Sequence, residues 1–195
     1  MICAIVLAAG RSVRMGTQKL LLPFRGKPLI AHVLDEVLNS PVKQVVVVAG
    51  RDGERLREAL GERAISLVQN PDWEGDMLSS VRCGLRALPK SCEAALIVLG
   101  DQPGISRKLI SQLTECHLQN PDGIIAPEYN GKRGHPLLIA FRFFNEIIDK
   151  YDGVGLQGLL KLHPDAVQRI PVATPAALED MDTPEDYQRI TRLGL

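Results

Sequence analysis

Short, near-continuous apolar runs occur at Ile2 to Leu7, Gln44 to Ala49, Ile65 to Val68 and Ala94 to Leu99, bounded by Gly, Pro or Asp. Their length and β-branched content predict buried strands. Helical patterns lie between them. Pro28 is expected to open one, with Leu29, Ile30, Val33, Leu34, Val37 and Leu38 on a single stripe before the break at Asn39 to Pro41. Others are expected at Asp52 to Leu60, ended by Gly61, at Leu78 to Leu88, and at Arg107 to Leu118 with Ser106 as N-cap. Alternating strands and helices predict an α/β fold, an open, mostly parallel sheet covered on both faces. Ligands of such sheets bind at the carboxyl ends of the strands, so the loops after Leu7, Val68 and Leu99 should converge.

After Gly123 the pattern changes. GIIAP, a turn at Asn130-Gly131 and HPLLIAF read as two extended segments with a hairpin-like connection, adding one antiparallel element. A last helix is expected where Thr183 can cap, Pro184 suits the first position, and Glu185 and Asp186 bring negative charge to the first turn. With no repeat or linker in 195 residues, residues 1–195 are expected to form one domain.

Charge narrows the choice of partner. Lys plus Arg number 23 and Asp plus Glu number 23, so no general field attracts nucleic acid or an anionic membrane, and neither is expected as a partner. Cys3, Cys83, Cys92 and Cys116 form no CxxC pair, which argues for reduced, buried thiols. The opening MICAIVLAAG lacks a basic leader region and reads as a first core strand. A cytoplasmic location is expected on these grounds.

Anion binding must then be local. Leu7, Ala8, Ala9 and Gly10 end a strand, and the chain continues with Arg11, Arg14 and Lys19. Small residues let backbone N–H groups approach phosphate oxygens, and Arg14 and Lys19 can neutralise charge that builds up during transfer. Neither the Gly-Lys-Ser/Thr ending of a P-loop nor GxGxxG is present. Taken alone, glycine here would be read as serving the turn, with Arg and Lys exposed for solubility.

Leu99-Gly100-Asp101-Gln102-Pro103 places an acid after a buried strand at the same sheet edge, making Asp101 a candidate ligand for Mg²⁺ or Mn²⁺. A turn-capping Asp is the alternative. Asp182 is a second candidate, although an acid before a capped helix is also favoured by the helix dipole. Asp180, Glu185 and Asp186 read as helix-start and surface charges. Asn70 can present donor and acceptor to a base edge, and Ser79 or Ser80 can cap a helix or meet phosphate. Trp73 can stack on a ligand or anchor a loop. Gly134 and His135 are candidates for contacting a second substrate, or His135 is a turn residue.

The full string LAAGRSVRMGTQKLLLP from Leu7 to Pro23 resembles the signature LAxGxSxRMGxxKxLLP of the MobA-like nucleotidyltransferases. The likeness extends to Gly100-Asp101-Gln102-Pro103, which is similar to the family's metal-binding GDxP, and more loosely to the loop from Asn70 to Ser80. It continues in Gly131 to Pro136, similar to GxxGHP beside the acceptor, and in Asp180 to Tyr187, similar to DIDTPEDL. The resemblance implies a Rossmann-like three-layer domain that binds a nucleoside triphosphate and magnesium and transfers NMP to a phosphorylated acceptor, releasing pyrophosphate. It implies catalytic roles for Arg14, Lys19 and Asp101, metal binding by Asp101 and Asp182, and nucleotide binding by Leu7, Ala8, Ala9, Gly10, Arg14, Lys19, Asn70 and Ser80.

LAAG, where GTP-using members tend to read LAGG, is similar to the cytidylyltransferases acting on molybdopterin. The resemblance thus favours CTP as donor, the molybdenum cofactor as acceptor, and a molybdoenzyme as client. Gly153 to Leu159 departs from the GDxGAR-like segment of those relatives, lacking its acid and its Arg. That departure keeps open another phosphorylated acceptor such as a sugar phosphate, or a nucleotide-binding chaperone with little turnover.

Overall fold

The computed structural model describes residues 1–10, 15 and 17–193. Along the chain run β1 (Ile2–Ala8), a small hairpin of β2 (Pro23–Phe24) and β3 (Lys27–Pro28), α1 (Leu29–Leu38), β4 (Gln44–Ala49), α2 (Gly53–Leu60), β5 (Ser66–Gln69), α3 (Met77–Ala87), β6 (Ala94–Leu99) and α4 (Arg107–Gln119). Then follow β7 (Ile124–Tyr129), β8 (Lys132–Arg133), β9 (Leu137–Ala140), α5 (Phe144–Asp149), α6 (Leu156–Leu162), β10 (Val167–Pro171) and α7 (Pro184–Leu193). The main sheet has the order β10-β7-β9-β6-β1-β4-β5, with β8 paired to β7.

Two apolar cores follow from the period of two along each strand. Ala4, Val6 and Ala8 of β1 face a cluster built with Leu29, Ile30, Val33 and Leu34 of α1, Leu113 of α4 and Ile190 of α7. Cys3 and Ile5 face the other cluster, with Leu78 and Val81 of α3, Ile147 of α5 and Leu159 of α6. The result is the expected three-layer, Rossmann-like arrangement, mostly parallel. α3 lies very close to β1: a Cβ on Gly84 would stand 2.4 Å from Ile5 Cγ2, so only glycine fits.

The expected strand spans hold except at β5, which starts at Ser66 and is a half-exposed edge strand, not a buried one. Pro28 stands in the N-cap position of α1 instead of its first turn, and that helix starts at Leu29. Asn130 and Gly131 have φ of 49° and 78°, the pair of positive values that a tight hairpin turn needs. The cysteines are free, but only Cys3 and Cys92 are fully buried. Among the described residues no helix is long and apolar enough to cross a membrane.

Topology decides where a ligand can sit. From β1 the chain steps outward through β4 to β5, then returns to β6 on the other side of β1, all four strands being parallel. The connections leaving β1 and β6 therefore diverge at their carboxyl ends and open a crevice there. β9 runs antiparallel to β6 with Leu137 opposite Ile97 and Ala140 opposite Ala94. This reversal delivers the segment just before Leu137 to the same edge.

Candidate active site

At that edge lies a cavity of about 290 Å³ lined by Leu7, Ala9, Gly10, Lys19, Trp73 and Ser80, and also by Asp101. The three loops expected to converge do so. A second cavity, of about 460 Å³, shares Ala9, Gly10 and Trp73 with the first and adds Ala8. Trp73 thus stands between two cavities, half-buried.

The charge centre is Lys19. It sits in a short 3-10 turn, Lys19–Leu21, anchored by buried Leu20. Its Nζ donates to Asp101 Oδ2 and to Asp182 Oδ1, the latter at 2.7 Å. Burial alone would lower the Lys19 pKa, but the Asp101 charge and hydrogen bond, with those of Asp182, outweigh it and hold the pKa above 10.5. The ammonium is charged at neutral pH. Two carboxylates held together around Lys19 are oxygen donors of the kind a hard divalent ion takes, alongside phosphate oxygens and water.

Asp101 owes its place to the glycine before it. Gly100 N–H donates to Leu7 O at 3.0 Å, and a Cβ there would stand 2.8 Å from that oxygen and 2.9 Å from Ile30 Cδ1. The glycine of Gly-Asp-Gln-Pro is therefore a packing requirement that lets the loops after β1 and β6 touch. Asp182 arrives from the far end of the chain. Met181 N–H donates to Asp101 O at 3.1 Å, and the Met181 side chain is fully buried, worth roughly 2 kcal/mol of apolar burial.

Asp180 corrects the sequence expectation. It is no surface charge: its Oδ1 accepts from Gln102 Nε2 at 2.6 Å, and Gln102 is 2% exposed. Burial, then the charges of Asp101 and Asp182, raises the Asp180 pKa against the pull of the Gln102 hydrogen bond and Lys19. Gln102 and Asp180 are the residues that sequence reasoning missed. The available signal was the acid-Met-acid alternation, which in extended chain buries Met181 and turns both acids to the other side.

Asn70 is 2% exposed, and its amide is engaged within the protein. Nδ2 lies 2.9 Å from Ser79 Oγ, 3.1 Å from Ser80 Oγ and 3.1 Å from Asp72 O, and Oδ1 accepts from Asp72 N–H at 3.0 Å. It fastens the loop to the start of α3, and reading a base edge would require giving up some of these bonds. The N-cap of α3 is Asp76, which accepts from Ser79 N–H at 3.1 Å, and not a serine. Asp76 thus has a structural duty. At α7, Thr183 and Asp186 form the reciprocal cap, with Asp186 N–H to Thr183 Oγ1 at 3.1 Å and Thr183 N–H to Asp186 Oδ2 at 3.0 Å.

Gly134 is buried and its N–H donates to Pro127 O at 2.9 Å, so it supports the turn rather than a ligand. His135 precedes a cis proline, and its Nε2 is buried with no hydrogen-bond partner among the described residues. Burial lowers the His135 pKa to about 4, against the pull of the Asp101 charge, so the imidazole is neutral at pH 7. Arg14 lies outside the described residues. The loop leading into Gly153 is tied to α3: Arg82 donates to Ile147 O at 2.9 Å and Lys150 O at 2.6 Å and pairs with Asp152 at 2.6 Å. Gly153 and Gly155 have φ of 74° and 59°, which favours glycine there.

A model of the MobA-like NTP transferase domain matches residues 4–167. The chain is 26% identical to the molybdenum cofactor cytidylyltransferase of Escherichia coli (strain K12), over 94% of this chain and 92% of that one. It is 28% identical to the nicotine blue oxidoreductase of Paenarthrobacter nicotinovorans, over 97% and 96%. A Mycobacterium tuberculosis H37Rv protein crystallised as a complex with manganese shares the fold with a TM-score of 0.76 and 23% identity, covering 98% of each chain.

Proposed function

Because the chain belongs to the MobA-like NTP transferase domain family, we propose that it transfers CMP from CTP to the terminal phosphate of molybdopterin or the molybdenum cofactor. An acceptor phosphate oxygen attacks the α-phosphorus of CTP, the bond from that phosphorus to the β-phosphate oxygen breaks, and pyrophosphate leaves. The observation that carries this reading is the Lys19 ammonium between Asp101 and Asp182 at the mouth of the β1–β6 cavity. Such an arrangement positions and screens phosphate charge, which is most of what phosphoryl-type transfer asks of a protein.

Asp101 and Asp182 would hold Mg²⁺ or Mn²⁺, which when bound screens the triphosphate and stabilises the charge of the leaving group. A fold relative from M. tuberculosis was crystallised as a complex with manganese, which is in keeping with a divalent ion of this kind. Lys19, kept protonated by the same acids, neutralises the departing pyrophosphate, and Arg14 is assigned the same duty from its place in the opening signature. Backbone N–H groups from Ala8 to Gly10 face the phosphates. The methyl group of Ala9, which lines both cavities, narrows the space beside the base and favours a pyrimidine. His135, being neutral, offers the acceptor a hydrogen bond without charge, so it suits the ring edge of a pterin better than its phosphate.

A second reading keeps the donor and changes the acceptor to another phosphorylated metabolite. It is favoured by the segment from Gly153, built on glycine turns and the Arg82 clasp, without the acid and Arg of the cytidylyltransferase pattern. Pyrophosphate release, measured with each of the four NTPs and with molybdenum cofactor or sugar phosphates as acceptor, separates the two. CTP with molybdenum cofactor is expected to be the productive pair. Release with CTP and sugar phosphate only would move the acceptor assignment, and no release with any pair, or oxidation of NADH or NADPH instead, would reject transfer.

A further inference from the structure

We propose that Gln102 and Asp180 are positioning residues, a side-chain rung that, with the backbone rung beside it, holds Asp182 across Lys19 from Asp101. The inference rests on the metal-assisted transfer reading above and concerns how its two acids are kept in place. Two bonds join the segment after β6 to the segment before α7. Met181 N–H donates to Asp101 O at 3.1 Å, and Gln102 Nε2 donates to Asp180 Oδ1 at 2.6 Å. They use neighbouring residues on both segments. One bond alone would leave a hinge about which Asp182 could swing, whereas two fix its direction.

The rung is itself well supported. Gln102 is 2% exposed and its main chain is held at both sides, by Gln102 N–H to Leu99 O at 3.4 Å and Ile105 N–H to Gln102 O at 3.3 Å. Met181 beside Asp180 is fully buried. A buried hydrogen bond to a carboxylate is stronger than one in water and is missed more when one partner is removed. Asp180 also brings a third acid, and with it a formal charge, two residues from Asp182. A positioning role needs the acceptor oxygen of Asp180 and not that charge, whereas a third metal ligand would need the charge.

Asparagine separates the two, since its amide oxygen can still accept from Gln102 Nε2. Mn²⁺ affinity can be read by electron paramagnetic resonance with CTP present and acceptor absent, alongside the metal dependence of turnover. Asp180→Asn is expected to stay within about 3-fold of the native affinity, whereas Asp180→Ala and Gln102→Ala should weaken it about 10-fold. In the two alanine variants the metal KM should rise more than kcat falls. Gln102→Asn, which retracts the amide by one methylene, serves as the milder break if an alanine variant fails to fold. Equal losses in Asp180→Asn and Asp180→Ala would overturn the proposal in favour of a charged ligand. Native Mn²⁺ affinity in Asp180→Ala, Gln102→Ala and Gln102→Asn would overturn it as well. If the expected Mn²⁺ pattern holds while CTP yields no pyrophosphate with any acceptor, the transfer reading fails and the rung stands.

Discussion

The sheet from β5 to β6 and the sheet from β9 to β10 meet at one crevice but are built by different means. On the first side every strand is parallel, and most of the polar groups at the crevice pair with one another, Lys19 with Asp101 and Asp182 and Asn70 with Ser79 and Ser80, although Gln102 Oε1 is buried with no partner among the described residues. On the second side a strand runs backwards, His135 keeps a buried nitrogen without a partner among the described residues, and glycines with positive φ lead into α6. The donor side is a charge network that a triphosphate can enter by exchanging ionic partners. The side proposed for the acceptor is built instead on a reversed strand, glycine turns and the Arg82 clasp. α3 touches both, since Ser80 lines the β1–β6 cavity and Arg82 clasps the loop before Gly153.

The sharpest way to break this contrast is Asp101→Asn. Removing one carboxylate from the donor network should lower kcat about 10³-fold, equivalent to about 4 kcal/mol, in a pyrophosphate-release assay. The fold should persist by circular dichroism. A loss under about 10-fold would deny that the donor side works through charge.

Next in size is Gly100→Ala. The added methyl would meet Leu7 O and Ile30 Cδ1, so stability should fall by about 3 kcal/mol in urea unfolding. An alanine variant of native stability would show that the loops after β1 and β6 are not locked together.

The acceptor side has its own pH signature. The folded-state pKa of His135 is lowered to about 4, below the ordinary 6.5, so its contribution is fully present above pH 6.5 and is lost as pH falls towards 4. The difference is at most about 3 kcal/mol, less for a ring that is only partly shielded. His32 and His117 shift in the same direction, so the readout is the native protein minus His135→Asn. A flat difference between pH 6.5 and 4 would contradict an imidazole held neutral by its surroundings. The Lys19 contribution, by contrast, is fully present below 10.5 and is lost only as pH rises through its raised pKa.

How much of this could be read from the chain depends on distance along it. β1, β4, β6, α1 and α4 were legible because apolar period and capping residues are local, down to Ser106 accepting from Leu109 N–H. Lys19 and Asp101 were legible because each follows a buried strand at the switch point. Gln102 and Asp180 were not, because their role exists only once Met181 is buried against the other end of the chain. The duties of Asn70 and Asp76 within the loop were not legible for the opposite reason. Local hydrogen bonds claim them first, and side-chain competition of that kind is invisible until the turn geometry is known. Gly153 to Leu159 stayed obscure because Arg82, which holds the preceding loop, comes from another helix.

Trp73 gives the most direct test of the central claim that a nucleoside triphosphate binds where the β1 and β6 loops meet. It is the only tryptophan of the chain and lines both cavities at that edge. Titrating its fluorescence with CTP and with GTP in the presence of Mg²⁺ should give a saturable change at lower CTP than GTP concentration, and Lys19→Met should weaken the CTP response about 10-fold or more. No change with any nucleotide, or an unaltered CTP curve in Lys19→Met, would contradict the account.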